Sequence, residues 1–248
     1  MSFVNLDLHD RVAVIRLNNG VTNAIHPKLV SDLRHAVTEV KTNARGLVLA
    51  GGPKFFSIGF DLPWVLQATQ EELLSFYQDF NDTCLEIYSL PLPTAAAVIG
   101  HAPAGGTILA TACDYRYLAA GKPRLGLNEV QIGVSIPYLA HLLLRQITGD
   151  RAATDMTYTG RLVDPEKALA VGLADKLLSP EDVESKALEK ISSLADLPGE
   201  AFAQVKAVRI ENIRRLYLQN GRASNEKDIG LWMDPEVRKL LAKAAEKY

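Results

Sequence analysis

Near the start of the chain apolar and polar positions alternate: Val4, Leu6 and Leu8, then the polar "HDR", then Val12, Val14 and Leu17. A period of two on both sides of a turn predicts a β-hairpin. From Pro27 the period lengthens, with Leu29, Val30, Leu33, Val37 and Val40 at helical spacing until "TNARG" breaks the run. The segment that follows, "GLVLAGG", has no polar alternation at all. An unbroken apolar strand, entered from a helix and left through glycines, predicts a parallel sheet buried on both faces. The cycle then repeats: a polar helical segment from about Gln70 to Leu90, the strand in "AAAVIGHA", and a helix followed by a strand in "AGGTILATACDYRYLA". Such units, returning at roughly forty-residue intervals, predict an α/β core.

From Tyr138 onward the pattern is mainly helical. Asp164 before Pro165 and Ser179 before Pro180 each read as an N-cap followed by a proline start, Gly172 closes the first of these helices, and "LADKLL" is a short strand between them. "AFAQVKAVRIENIRRLYLQ" and "DPEVRKLLAKAAEKY" are amphipathic, with no linker-like stretch before them. The expected organisation is an α/β core over residues 1–190 with a helical subdomain, 191–248, packed on it as one continuous unit.

With 248 residues, 48% of them apolar, the chain can bury a large core. Its 27 basic and 29 acidic residues leave a net charge of -2, which gives no footprint for nucleic acid or an acidic membrane surface. That points to a small-molecule partner. Cys84 and Cys113 fall in apolar patterns and read as small buried hydrophobes in a reducing compartment. The amino terminus reads as a strand and not a signal peptide, and no apolar run reaches membrane-spanning length, so a cytoplasmic location is expected. Five scattered histidines without paired spacing predict no metal site.

The candidate chemistry begins with "GLNEVQIGVSIP", where Glu129 stands in an otherwise apolar or uncharged stretch. An unpaired buried carboxylate is expensive, so it is retained for chemistry or it faces water after all. Two glycine loops bear on that choice. In "FFSIGFDL" Gly59 follows a buried strand, and in "GHAPAGGTILATACD" Gly105 and Gly106 open an apolar helix directly after another. Glycine lets a loop aim a backbone N–H at a ligand, and the first turn of a helix carries free donors. Two such donors meeting over one carbonyl oxygen would stabilise an enolate or a tetrahedral oxyanion. Neither loop ends in the Lys-Ser/Thr of a nucleotide P-loop, "GHAPAGG" fails the dinucleotide fingerprint, and no Gly-x-Ser-x-Gly elbow is present.

The three motifs "FSIGFDL", "PAGGTILATACDYRYLA" and "GLNEVQIGVSIP", in that order and spacing, resemble the crotonase (enoyl-CoA hydratase/isomerase) superfamily, most closely the Δ3,Δ2-enoyl-CoA isomerases of fatty-acid oxidation. "TGRLVDPEKALAVGLADKLL" extends the likeness towards the carboxy terminus. The resemblance implies a spiral core of repeated ββα units with a carboxy-terminal helical trimerisation region. It implies an acyl-CoA thioester as substrate and partner, no cofactor beyond the CoA of that substrate, and a homotrimer or a dimer of trimers. By motif position it places the oxyanion donors at the N–H groups of Ile58 and Gly105. It also puts Val21, Ala24, Asp61 and Leu62 beside the CoA moiety. Isoleucine stands where the family usually has a small residue, which leaves the backbone donor but alters the adjacent pocket.

One departure from the family pattern decides between reactions. Its hydratases place a glutamate on the helix after the double glycine, and here that position is Ile108. Adding water needs the water held, deprotonated and its second proton delivered, whereas moving a double bond needs one base that swings between two carbons. Glu129 is therefore expected to act as a proton shuttle in a setting made apolar by Ile108, Ile132 and Ile136, which raises its pKa. Hydration, thioester hydrolysis or a non-catalytic binding protein on the same fold are the competing readings. Dienoyl isomerisation would want a further acid beyond Glu129, and none stands from Val130 to Leu144. Phe60, Trp64 and Tyr77 line an acyl tunnel or simply pack, as does Trp232. Asp114 and Arg116 read as a structural ion pair or helix-end cap. Lys206, Arg209, Arg214 and Arg215 read as a solvated helix face or a contact for CoA phosphates.

Overall fold

In the computed structural model, which describes residues 2–246, the expected hairpin is formed by β1 (Val4–His9) and β2 (Val12–Leu17), paired antiparallel around Asp10 at a φ of 52°. Helix α1 (Pro27–Asn43) follows, its first turn capped by the Nδ1 of His26 accepting from the Lys28 N–H. It leads into β3 (Gly46–Ala50), and the short α2 (Leu62–Val65) and long α3 (Gln70–Tyr88) lead into β4 (Thr94–Val98). Thr69 and Glu72 form a reciprocal capping box at the start of α3. Then come β5 (Ala102–Pro103), α4 (Gly105–Thr111), β6 (Tyr115–Ala119), β7 (Leu125–Gly126) and a single 3-10 turn, Glu129–Ile132. The remainder is α5 (Tyr138–Thr159), α6 (Pro165–Ala170), β8 (Lys176–Leu178), α7 (Val183–Ala195), α8 (Gly199–Trp232) and α9 (Pro235–Ala245).

The main sheet is six-stranded in the order β1-β2-β3-β4-β6-β8, and every pair after the hairpin is parallel. Period two is visible in what its strands bury. Val12, Val14, Val48, Ala50, Ala95 and Ala97 face α7, and Ala13, Ile15, Leu47, Leu49, Ala96 and Val98 face the larger core under α1, α3 and α8. Both faces are covered, which is why these strands are apolar without interruption. Small residues bring α7 close to the sheet: a Cβ on Gly46 would stand 2.4 Å from the Ile191 Cγ2. A second layer is made of the parallel pair β5-β7 and of isolated bridges, Ile25 to Phe60 and Phe55 to His101. This layer turns the chain into a spiral and carries the site.

Two boundaries differ from the sequence pattern. Helix α7 begins at Val183 and not at Pro180, because the Ser179 hydroxyl donates to the Asp182 carboxylate (2.8 Å) and the Asp182 N–H returns to the Ser179 carbonyl (3.0 Å). Residues 180–182 are thereby folded into a turn. Helix α5 is broken at Gly149, whose φ of 77° no helix contains. The Asp164 cap is as expected, its carboxylate accepting from the Lys167 N–H at 2.8 Å. Lys247 and Tyr248, the end of the last amphipathic segment, lie outside the described residues. Among those residues no helix is long and apolar enough to cross a membrane.

Candidate active site

Two loops of the second layer are clamped by hydrogen bonds that leave the Phe60 and Gly105 N–H groups without an acceptor among the described residues. In the first, the Ser57 hydroxyl donates to the Asn23 carbonyl (2.7 Å) and accepts from the Gly59 N–H (3.2 Å). The Ile25 N–H bonds the Gly59 carbonyl (2.8 Å), and the Asp61 N–H bonds the Ile25 carbonyl (3.0 Å). The Ile58 N–H donates to the Thr22 carbonyl at 3.0 Å, so it is not available to a ligand. The expected placing of a free donor at Ile58 therefore does not hold, and the neighbouring amide of Phe60 is the one that finds no acceptor among the described residues. The physical reason is Gly59 at a φ of 96°: the left-handed residue turns the next amide, and not the preceding one, away from the segment 22–25. Ile58 still lines the cavity.

The second loop is held by the Ala104 N–H on the Gly126 carbonyl (2.8 Å) and by Thr107, whose hydroxyl donates to the Ala102 carbonyl (2.5 Å) and accepts from the Gly126 N–H (2.8 Å). Ala104, at a φ of 48° and ψ of -121°, sits in a sparsely populated backbone region. Gly105 then opens α4 with its N–H free, as the motif leads one to expect. The loops touch: a Cβ on Gly59 would lie 3.2 Å from the Ala104 Cβ and 3.4 Å from the Gly105 nitrogen. A Cβ on Gly105 would lie 3.3 Å from the Gly59 Cα. Two unsatisfied amides on touching loops open into one cavity of about 590 Å³.

Glu129 enters that cavity from the third motif. Its 3-10 turn is closed by the Val134 N–H on the Glu129 carbonyl (3.2 Å), which Gly133 permits at a φ of 81°. The side chain is buried, at 4% exposure, and its Oε2 has no hydrogen-bond partner among the described residues. Loss of solvent pushes the carboxyl up to about 8, against a weak opposing pull from its own backbone N–H. Ile108 on α4 and Ile132 form apolar wall; Ile136 packs into the core instead of lining the cavity. Asp61 also lines it, with its carboxylate engaged in capping α2 through the Trp64 N–H at 3.2 Å.

The raised pKa has a sign that stability can read. The unfolded carboxyl ionises near 4.5 and the folded one near 8, so the unfolded chain gives up this proton first. Stability falls as pH rises between those values and then levels, by on the order of 5 kcal/mol from this group. Glu129→Gln removes the ionisation. Its Tm is expected to exceed that of the wild type by roughly 10–20 °C at pH 9, with the gap closing towards pH 4. Thermal denaturation across that range checks it, and a gap independent of pH would mean that Glu129 is solvated.

Of the other expected site residues, Ala24, Leu62 and Phe60 line the cavity with Asp61. Val21 does not. It is 66% exposed at the tip of a turn made by Gly20 (φ 65°) and Asn23 (φ 45°), which aims its side chain outward and leaves Asn19 and Thr22 to line the cavity. The aromatic residues divide. Phe60 lies 4.8 to 6.0 Å from the rings of Phe76, Phe80, Trp232 and Tyr77, and with Tyr77 and Trp232 forms an aromatic wall, whereas Trp64 packs on Phe76 and His26. Asn128 and Gln131, which flank Glu129 in the third motif without having been singled out, also reach the cavity, as do Ala244 and Ala245 of α9, which no site motif marked. Lys206 is neither solvated nor in the cavity: its buried ammonium donates to Asp114 (2.7 Å) and the Leu92 carbonyl (2.9 Å). Arg116 is likewise structural, paired with Asp175 at 2.9 Å. A groove of comparable volume, about 580 Å³, beside β1 and α1 is lined by charged groups such as Arg34 and Asp32, which are paired with Glu86 and Lys28. It offers no buried unpaired group. Among the described residues no cluster of three or more His, Cys, Asp or Glu could hold a metal ion.

The spiral of strands, with paired loop amides and one buried carboxylate at its rim, defines a protein of the crotonase fold. The enoyl-CoA hydratase/isomerase family profile matches residues 7–239, and the chain belongs to that family of enzymes. It is 31% identical over 202 residues to the human mitochondrial enoyl-CoA delta isomerase 1, covering 79% of this chain and 67% of that protein. The crystal structure of the human mitochondrial Δ3,Δ2-enoyl-CoA isomerase superposes with a TM-score of 0.94 at 26% identity, over 99% of this chain and 97% of that one. An enoyl-CoA hydratase of Mycobacterium marinum superposes at 0.85 with 30% identity, over 92% of this chain and all (100%) of the other. Relatives of comparable identity thus carry both activities in their names.

Proposed function

We propose that the protein is an isomerase that converts a 3-enoyl-CoA thioester to the conjugated trans-2-enoyl-CoA. The observation that carries this reading is the cavity's chemistry. Glu129, unpaired and desolvated, faces a pair of free amides, and the wall on α4 is Ile108, where a second carboxylate would be needed to handle water. Glu129 in its ionised form takes a proton from C2. The electron pair left at C2 moves into the C1–C2 bond, and the thioester oxygen carries the charge of the resulting dienolate. The N–H groups of Phe60 and Gly105 stabilise that oxygen. Protonated Glu129 then returns the proton to C4 as the double bond settles between C2 and C3. The reaction is redox-neutral and balanced, and it calls for no resident cofactor.

Supporting features surround this step. Burial brings the basicity of Glu129 towards that of the carbon acid and keeps bulk water from the enolate. Ala24, Asp61 and Leu62, at the edge of the first loop, would border the CoA moiety, and the aromatic wall of Phe60, Tyr77 and Trp232 would border the acyl chain. A homotrimer or a dimer of trimers fits this reading, since it would cover the exposed Val205, Val208 and Leu218 of α8.

A paired assay tests the reading against hydration. Purified protein is given 3-enoyl-CoA and, separately, trans-2-enoyl-CoA, and the conjugated thioester absorbance is followed. The expected result is conjugation of the first at least about 10²-fold faster than loss of the second. Hydration of the second at the faster rate, with 3-enoyl-CoA untouched, would overturn it.

A further inference from the structure

Behind the cavity lies a buried carboxylate that the proton shuttle does not use. Asp228 stands on α8 one turn before Trp232 and is 7% exposed. Each of its oxygens accepts a hydroxyl from a different element. Oδ2 accepts from Tyr77 of α3 at 3.1 Å, and Oδ1 accepts from Ser135 at 2.5 Å. A short O–H bond to a carboxylate is among the stronger hydrogen bonds available to a protein. Burying the charge is costly, so the arrangement calls for a reason beyond stability.

Ser135 supplies the reason. It is the next residue after Val134, whose N–H closes the turn on the Glu129 carbonyl. The bonds made by the backbone of Gln131, Gly133 and Val134 all stay inside the turn. Among the described residues, the Ser135 hydroxyl makes the one hydrogen bond tying residues 133–136 to an element outside the turn, and the Pro137 carbonyl then accepts from the His141 N–H (3.0 Å) of α5. The upstream side has its own tether, the Gln131 side chain on the Thr159 carbonyl at 3.1 Å, in an exposed position. Asp228 therefore holds the downstream end of the Glu129 turn and the ring of the facing Tyr77 from a single point on α8.

We infer that Asp228 is a positioning residue for Glu129, acting through Ser135. The inference deepens the proposed isomerisation and rests on it, because a carboxylate that must reach two carbons in turn tolerates little drift of its backbone. A displacement of about 1 Å in a reacting group can lower a rate by about 10²-fold.

Two readouts are taken on Ser135→Ala, Ser135→Thr and Asp228→Asn. Ser135→Ala is expected to lower kcat on 3-enoyl-CoA by about 10- to 100-fold with KM within about threefold of wild type. Asp228→Asn, left with one accepting oxygen, should do the same, and Ser135→Thr, which keeps the hydroxyl, should recover kcat to within about threefold. Hydrogen exchange of the peptide spanning residues 129–135 should quicken by about tenfold in Ser135→Ala, while α3 and α8 keep their protection. Unchanged exchange in Ser135→Ala, or faster exchange with kcat unchanged, would overturn the inference. So would kcat and KM failing together with no recovery by threonine. If exchange responds as expected but the wild type isomerises nothing, the clasp stands and the proposed reaction is what fails.

Discussion

Glu129→Gln is expected to lower kcat on 3-enoyl-CoA by about 10³- to 10⁴-fold, with KM within about threefold. The amide is nearly the same size as the carboxylate and leaves the cavity wall intact, so binding of the thioester is retained. What it cannot do is accept and return a proton. The pH profile of the wild type should carry the same group: because only ionised Glu129 is a base, the rate rises with pH through about 8, the value to which burial pushes the carboxyl. In the glutamine variant that limb should vanish. Steady-state kinetics between about pH 6 and pH 10, about two units either side of the inflection, make the comparison. A variant that keeps more than about a tenth of wild-type kcat would assign the proton transfer to another group.

The second large effect is expected at Gly59. Gly59→Ala puts a Cβ on a backbone at φ 96°, 3.2 Å from the Ala104 Cβ and 3.4 Å from the Gly105 nitrogen. The strain costs about 1–3 kcal/mol, and relief comes only by moving the first loop away from the second. That separates the Phe60 and Gly105 amides, which cannot be deleted by side-chain substitution. Loss of one such donor lowers kcat by about 10²- to 10³-fold, and a comparable loss is expected here with the fold retained. Circular dichroism and kcat on the same preparation check it. A folded Gly59→Ala protein with wild-type kcat would mean that the amide pair does not hold the developing charge.

The strands and helices of the main sheet were legible because each is governed by local periodicity. The uninterrupted "GLVLA" of β3 predicts the double burial that α7 and α1 provide, whereas the alternation of Val12, Val14 and Leu17 predicts the hairpin strand β2 without its second buried face, Ala13 and Ile15. The second layer was not legible. Its strands β5 and β7 are two residues long and its bridges are single pairs, so they are set by distant partners and not by pattern. The break in α5 could have been read from "TGD", since Gly149 with a following aspartate is a stop and a fresh start.

At the candidate site, Glu129, Gly105, Ala24, Asp61, Leu62, Phe60, Ile108 and Ile132 converge on one cavity, as the motifs lead one to expect. That Phe60 and not Ile58 has the unpaired amide is a matter of register: motif position locates the loop, while the φ of Gly59 decides which amide leaves it unpaired. Val21 shows the same limit, because a turn of four or five residues sends neighbours in opposite directions. Lys206 looked like part of a charged helix face, and only the fold brings Asp114 and the Leu92 carbonyl to it. Ser135 stands in the third motif, but Asp228 is 93 residues away and carries no motif, so nothing in the pattern pairs them.

The most direct test of the single-carboxylate shuttle is the fate of the proton itself. A 3-enoyl-CoA carrying deuterium at C2 is converted in ordinary water, and the product is examined by mass spectrometry and NMR for deuterium at C4. A buried Glu129 that takes and returns the same proton should leave a substantial fraction of the label at C4, with no oxygen added to the acyl chain. Complete exchange of the label with solvent, or a hydroxylated product, would show that water reaches the reacting carbons and would contradict the one-base account.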